Sequence, residues 1–151
     1  AERHWRCDSG DMRVLYMIPL LLLSLCQPDE TISAYAGRGS SWELVSHDNQ
    51  PFETKASLTF SKKGQVTGIG PCNSFSAQQL APYPWIEIRE IAATRRACPG
   101  LAEETAYLAA LPQMTLAEVS GNTLILSDDT GRQLRFERMT TELGARQSPK
   151  N

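Results

Sequence analysis

The chain lacks an excess of charge of either sign: 15 Lys and Arg stand against 17 Asp and Glu, interspersed, for a net charge of −2. That excludes a nucleic-acid binder of the kind that presents a basic stripe. Histidine is scarce. Of its two copies, only His47 lies outside the N-terminal leader, and it falls in an expected turn, so no cysteine–histidine nucleophile is anticipated. Zinc-type C-x₂-C and H-x₃₋₅-H spacings are missing, as are the G-x-S-x-G, Walker and Rossmann fingerprints. The carboxylates Glu87, Glu90, Glu103, Glu104, Asp128 and Asp129 form no acid–base pair and read as solvated faces and turns. No catalytic group, cofactor or metal is therefore expected. No internal repeat is present, and 151 residues suit one domain.

Long hydrophobic runs are also missing, with one short exception. Val14 to Leu25 is apolar apart from Pro19 and Ser24 and follows Met12-Arg13, a short positive n-region. As a helix it would span about 18 Å, well short of the roughly 30 Å of bilayer hydrocarbon. The length and flanks are those of a signal peptide over residues 12–25, with residues 1–11, including Cys7, an upstream leader outside the fold. Two processing sites compete. Leu23-Ser24-Leu25-Cys26 is similar to a lipobox, which would acylate Cys26 and anchor the chain in a membrane, although Leu25 stands where a small residue is usual. Ala34-Tyr35-Ala36 is an A-x-A site for release as a soluble periplasmic protein. Lipidation is favoured, because the second site lies about ten residues past the apolar run, beyond Pro28, Asp29 and Glu30. Position 28 is not Asp, so outer-membrane delivery, facing the periplasm, is expected in a Gram-negative host.

Downstream, residues 26–41 read as the anchor cysteine and a polar tether, 42–138 as the folded domain and 139–151 as a polar tail. Short alternating segments separated by turn residues recur through the domain: 42–45, 57–60, 65–69, 85–88, 115–119, 123–127 and 133–136. Asn and Gly between them supply the positive φ that hairpin turns require. One helix breaks the pattern over 99–111, with Leu101, Leu108 and Leu111 on one face, Pro99 at its start and Pro112 at its end. These elements predict a mainly β (α+β) domain, a small antiparallel barrel or half-barrel with the helix plugging one open end. Aromatics make up only 7% of the chain, yet Trp42, Phe60, Phe75, Trp85 and Phe136 suffice to fill such an interior.

The motif order resembles the META/HslJ family of exported bacterial proteins. Trp42-Glu43-Leu44 matches its opening W-x-L strand, Leu58-Thr59-Phe60 its L-T-F strand, and Gly64 to Asn73, including Gly70, resembles its glycine-bearing stretch that ends in CN. Thr94-Arg95-Arg96-Ala97-Cys98 matches its T-x-x-x-C segment, and the strands 124–126 and 134–136 its closing hairpin. Pro71 replaces a common second Gly before Cys72. The resemblance implies a lipocalin-like β-barrel with a helix, an association with stress, antibiotic tolerance and envelope integrity, and no established catalytic mechanism.

Each candidate residue carries two readings. Cys72 and Cys98 are expected to pair in an oxidising periplasm, closing a loop that contributes roughly 3 kcal/mol, or else to stay as two buried thiols. Asn73 is a turn-former that caps local amides in preference to a ligand contact. Arg95 and Arg96 either form a small anion patch near the helix start or lie over an apolar rim. Pro82, Tyr83 and Pro84 belong to a segment that either protrudes to meet a partner or rigidly enters a strand. The expectation is a monomeric, non-enzymatic envelope lipoprotein acting on an unidentified envelope protein or small ligand. The alternatives are an inhibitor of a periplasmic hydrolase and a carrier of an apolar ligand.

Overall fold

The computed structural model describes residues 28–139. The acylation, signal-peptide, leader and tail expectations at residues 1–27 and 140–151 lie outside them. In chain order the elements are α1 (Ile32–Tyr35), β1 (Ser41–His47), β2 (Gln50–Pro51), β3 (Ser57–Lys62), β4 (Gln65–Ile69), β5 (Ser74–Gln79), β6 (Ile88–Ala93), α2 (Leu101–Ala110), a 3₁₀ turn (Leu111–Gln113), β7 (Leu116–Ser120), β8 (Thr123–Ser127) and β9 (Gln133–Arg138).

The strands form one antiparallel sheet in the order β6-β5-β4-β3-β1-β9-β8-β7, with β2 added to β1. Alternation explains it. Trp42 and Leu44 of β1, Leu58 and Phe60 of β3, Leu124 and Leu126 of β8, and Leu134 and Phe136 of β9 all point inward and are at most 2% exposed. Burying each such side chain contributes roughly 1.5–3 kcal/mol. Tight turns fix the register: Asp48 and Asn49 both take positive φ (49° and 64°) in the two-residue loop that pairs His47 with Gln50.

The sheet curls into a half-barrel whose end strands are joined by the connector that leads into β6. The Ala117 amide donates to the Pro84 carbonyl (2.8 Å) and the Ile86 amide to the Thr115 carbonyl (3.1 Å), with Trp85 opposite Leu116. The connector is thus a seam between β7 and β6. Helix α2 lies across the interior: the Tyr107 ring sits 5.9 Å from Phe75, 6.3 Å from Phe52 and 6.4 Å from Phe136.

Several expectations need correction. The supposed tether is folded from Thr31 onward: Thr31, Ile32, Ser33 and Ala36 are all buried, and α1 lies against β3. Its polar composition misled because Asp29 satisfies the buried hydroxyls, accepting from the Thr31 amide (3.1 Å), Thr31 Oγ1 (2.7 Å) and Ser33 Oγ (2.7 Å). Trp85 is 59% exposed and does not fill the interior; its neighbours Ile86 and Ile88 point inward instead. Ser74–Gln79, passed over in the sequence, is a strand with Phe75, Ala77 and Gln79 facing in. The buried face of α2 is Glu104 and Tyr107, leading to Leu111, whereas Leu101 is 41% exposed. Pro112 does not end the helical path; it sits in the first turn of the 3₁₀ segment, where no amide is needed.

Candidate functional site

The fold gathers the motif residues at the α2 end of the barrel. Strand β4 ends at Ile69, and the chain turns through Gly70-Pro71-Cys72-Asn73 into β5. The Gly70 amide donates to the Asn73 carbonyl at 2.7 Å, which closes the turn. Cys72 is joined to Cys98, with Cα atoms 5.7 Å apart, and this fastens the turn to the segment before α2. The disulfide reading therefore holds.

Asn73 is 5% exposed and both ends of its amide are fully used. Its Oδ1 accepts from Thr94 Oγ1 (2.9 Å) and from the Arg96 amide (2.7 Å). Its Nδ2 donates to the Arg96 carbonyl (3.1 Å) and to Glu104 Oε1 (2.5 Å). Four bonds exhaust the amide, so no polar atom of Asn73 is left for a ligand.

Glu104 is the residue that sequence reasoning missed. Expected on a solvated face, it is 3% exposed and anchors the turn: Oε2 accepts from the Cys72 amide (2.8 Å) and the Asn73 amide (2.6 Å). Burial pushes its pKa up, but the bonds from the Asn73 side chain and from the two backbone amides outweigh that and hold the carboxyl below its ordinary value. It is ionised at neutral pH with both oxygens engaged, Oε2 by two donors and Oε1 by one, which leaves it no proton to give. The usable signal was position, since a carboxylate in the first turn of a helix stands near unpaired amides. Which amides it meets is decided thirty residues away.

Gly70 has a steric reason to be glycine. A Cβ there would stand 2.6 Å from Glu104 Oε2 and 3.0 Å from its Cγ. Pro71 fits because position 100 is also glycine; a Cβ on Gly100 would meet the proline Cβ at 2.8 Å. Tyr107, one helical turn beyond Glu104, is fully buried, and burial raises its pKa far above the ordinary phenol value. Its hydroxyl lies 3.4 Å from the Ser57 carbonyl.

Trp42 is fully buried, with the Arg138 guanidinium 4.3 Å over its ring. The side chains of Arg95 and Arg96 are exposed, and Arg96 serves the network only through its backbone. Pro82, Tyr83 and Pro84 do not protrude. Pro82 pairs with Thr31, the Tyr83 amide donates to the Glu30 carbonyl (2.7 Å), and its ring stacks on Tyr35 at 4.3 Å. Among the described residues no group of three or more metal-type ligands converges, and no helix is long and apolar enough to cross a membrane.

This arrangement of turn, disulfide and closing hairpin coincides with a match to the META domain family over residues 36–141. The chain belongs to the META domain family. The half-barrel is also similar to solved structures. An NMR structure of a protein from Burkholderia xenovorans superposes with a TM-score of 0.58 at 22% identity, covering 83% of this chain and 99% of that one. A crystal structure of a DUF4847 family protein from Bacteroides vulgatus gives a TM-score of 0.57 at 14% identity, covering 70% and 96%. At these identities the likeness speaks for the fold. No curated protein matches the sequence. The match opens at Ala36, so the META domain proper begins just inside the buried N-terminal segment. The motif residues of this META domain, Gly70, Cys72, Asn73, Thr94 and Cys98, are brought to one place, while Trp42 stands apart in the core.

Proposed function

We propose that this META domain is a non-catalytic component of the bacterial cell envelope. In this reading it is carried on a lipid at Cys26 on the periplasmic side of the outer membrane. There it binds or braces other envelope components and so contributes to stress or antibiotic tolerance. One observation supports the reading: the polar groups that could do chemistry, Asn73 and Glu104, are buried and engaged by each other, by the Thr94 hydroxyl and by backbone, beside a disulfide that fastens the turn. A disulfide of this kind persists in an oxidising compartment and is rare in the cytosol. Release by cleavage after Ala36 is disfavoured, because it would remove the buried Ile32. The carrier alternative loses support from an interior occupied by Trp42, Phe60, Tyr107 and Phe136, each at most 1% exposed. The inhibitor alternative relied on a projecting loop at Pro82–Pro84, which is pinned to its neighbours.

The test combines envelope fractionation with mass spectrometry of the mature N-terminus. An acylated Cys26 in the outer-membrane fraction is expected; a free Gly37 in the soluble periplasm, or reduced thiols in the cytosol, refutes the placement. A deletion strain complemented with Glu104→Gln separates bracing from catalysis. Tolerance should fall in step with the amount of folded protein, and a loss of tolerance at undiminished folded protein would point to a reactive role.

A further inference from the structure

Six large hydrophobic side chains are exposed among the described residues, and three of them share one region: Tyr35 (54%), Leu80 (67%) and Trp85 (59%). They surround the seam where the N-terminal segment meets the closing connector. Tyr35 stacks on Tyr83. Pro82 pairs with Thr31, and the Trp85 amide donates to the Pro82 carbonyl at 2.9 Å, so Trp85 ends a tight turn that begins beside Thr31. Leu80 and Pro82 line an open depression of about 460 Å³ together with Pro28, Glu30 and Lys63. Exposed Trp and Tyr rings next to aliphatic and lysine side chains suit the boundary between water and lipid, where one end of each ring is wet and the body is not.

The charges nearby are compatible with an anionic lipid surface. Lys63 lines the same depression as Leu80, Lys62 precedes it at the β3–β4 hairpin, and both lysines are exposed. Glu30 opposes them, but the Asp29 carboxylate is occupied by Thr31, Ser33 and Arg38, and Glu87 is paired with Arg89.

Chain length selects the occupant. Thr31 is fixed to the seam, and Cys26 precedes it by five residues, which span at most about 18 Å when fully extended. An anchor at Cys26 therefore keeps this end of the barrel at the bilayer. We infer that the face formed by Tyr35, Leu80 and Trp85 docks on a phospholipid surface and seats the barrel seam-down on the membrane. This rests on the reading that Cys26 carries the lipid.

The experiment uses the full chain with Trp5 replaced by Phe, so that Trp42 and Trp85 are its only tryptophans, expressed in a bacterial envelope, extracted and reconstituted into phosphatidylethanolamine–phosphatidylglycerol vesicles with acyl chains brominated near the headgroups. Docking brings Trp85 within reach of bromine, whereas Trp42 is shielded in the core. Emission of this chain should be quenched, Trp85→Phe should abolish that quenching, and Leu80→Asp should reverse it while circular dichroism stays native. Mass spectrometry of the same sample reads Cys26. An acylated chain with unquenched Trp85 overturns docking and leaves the anchor standing. Quenching of Trp85 in a retained but unacylated chain supports docking and overturns the anchor. A soluble product beginning at Gly37 overturns both.

Discussion

Replacing Glu104 by Gln changes one charge and almost no volume, so its effect isolates the buried carboxylate. Two backbone amides converge on Oε2 and the Asn73 amide group on Oε1, all within 2.8 Å. A glutamine has one acceptor oxygen. Turned toward Cys72 and Asn73, it sets its own NH₂ against Asn73 Nδ2; turned the other way, it strands both backbone amides. Rotating the Asn73 amide does not help, because that sets donor against the Arg96 amide and oxygen against the Arg96 carbonyl. Hydrogen bonds to an ionised acceptor stabilise by about 1.5–3 kcal/mol, and a stranded buried donor costs about 1–3 kcal/mol. The expected destabilisation is about 2–4 kcal/mol, a fall of roughly 8–16 °C in Tm for a domain of this size. Acid should narrow the gap. The folded-state pKa of Glu104 lies below its unfolded value, so its contribution is complete above the ordinary glutamate range and fades as pH falls through the folded value. Asp29 and Asp128 also have lowered pKa values, which is why the comparison must be wild type against Glu104→Gln at each pH. Thermal melts at pH 7, 5 and 3 decide it. A variant within about 2 °C of wild type at pH 7 would show that the carboxylate does not hold the turn.

Three further outcomes follow from the same geometry. Gly70→Ala should destabilise by about 1–3 kcal/mol through its clash with the carboxylate, and a double-mutant cycle with Glu104→Gln should be non-additive by denaturant unfolding; strict additivity would mean the two do not meet. Reducing Cys72–Cys98, or replacing both by Ser, should lower stability by roughly 3 kcal/mol, read as the urea midpoint with and without reductant; coincident midpoints would refute it. A chain beginning at Gly37 should be at least about 2 kcal/mol less stable than one beginning at Cys26, because Ile32 is lost from the core, and its Tyr83 amide should exchange with solvent faster once the Glu30 carbonyl is gone; equal melts and equal exchange would restore the tether.

The strands that alternate large apolar with polar residues were legible, and so were their turns: Leu58 and Phe60, Leu124 and Leu126, and the Asp48-Asn49 loop all stand where the pattern sets them. β5 was not, because its inward positions include Ala77 and Gln79, which signal weakly. Trp85 was misplaced for a related reason: its bulk suggests burial, but it shares a phase with Glu87, and Ile86 and Ile88 occupy the inner one. In the site, the cysteine pairing and the structural role of Asn73 were readable from residue type, but not its partners: the side chain caps no local amide and bonds instead to Thr94, Arg96 and Glu104, all distant in sequence. Glu104 was not, because its burial depends on amides distant in sequence, and a lone glutamate beside Glu103 looks like any wet helical turn. The N-terminal segment failed likewise: Asp29, Thr31 and Ser33 look like linker composition until their hydrogen bonds to one another are seen.

The pairing of β1 with β9 places the first and last long strands side by side in the middle of the sheet. A partly delivered polypeptide, whether leaving a ribosome or a translocation pore, therefore exposes an unfinished centre, and Trp42 and Leu44, with β3 already on one side, stay open on the other until Gln133–Arg138 arrives. Completion of the sheet waits on the last strand of the domain, which keeps the domain threadable until then and makes loss of that strand far more damaging than loss of a strand from a sheet's rim.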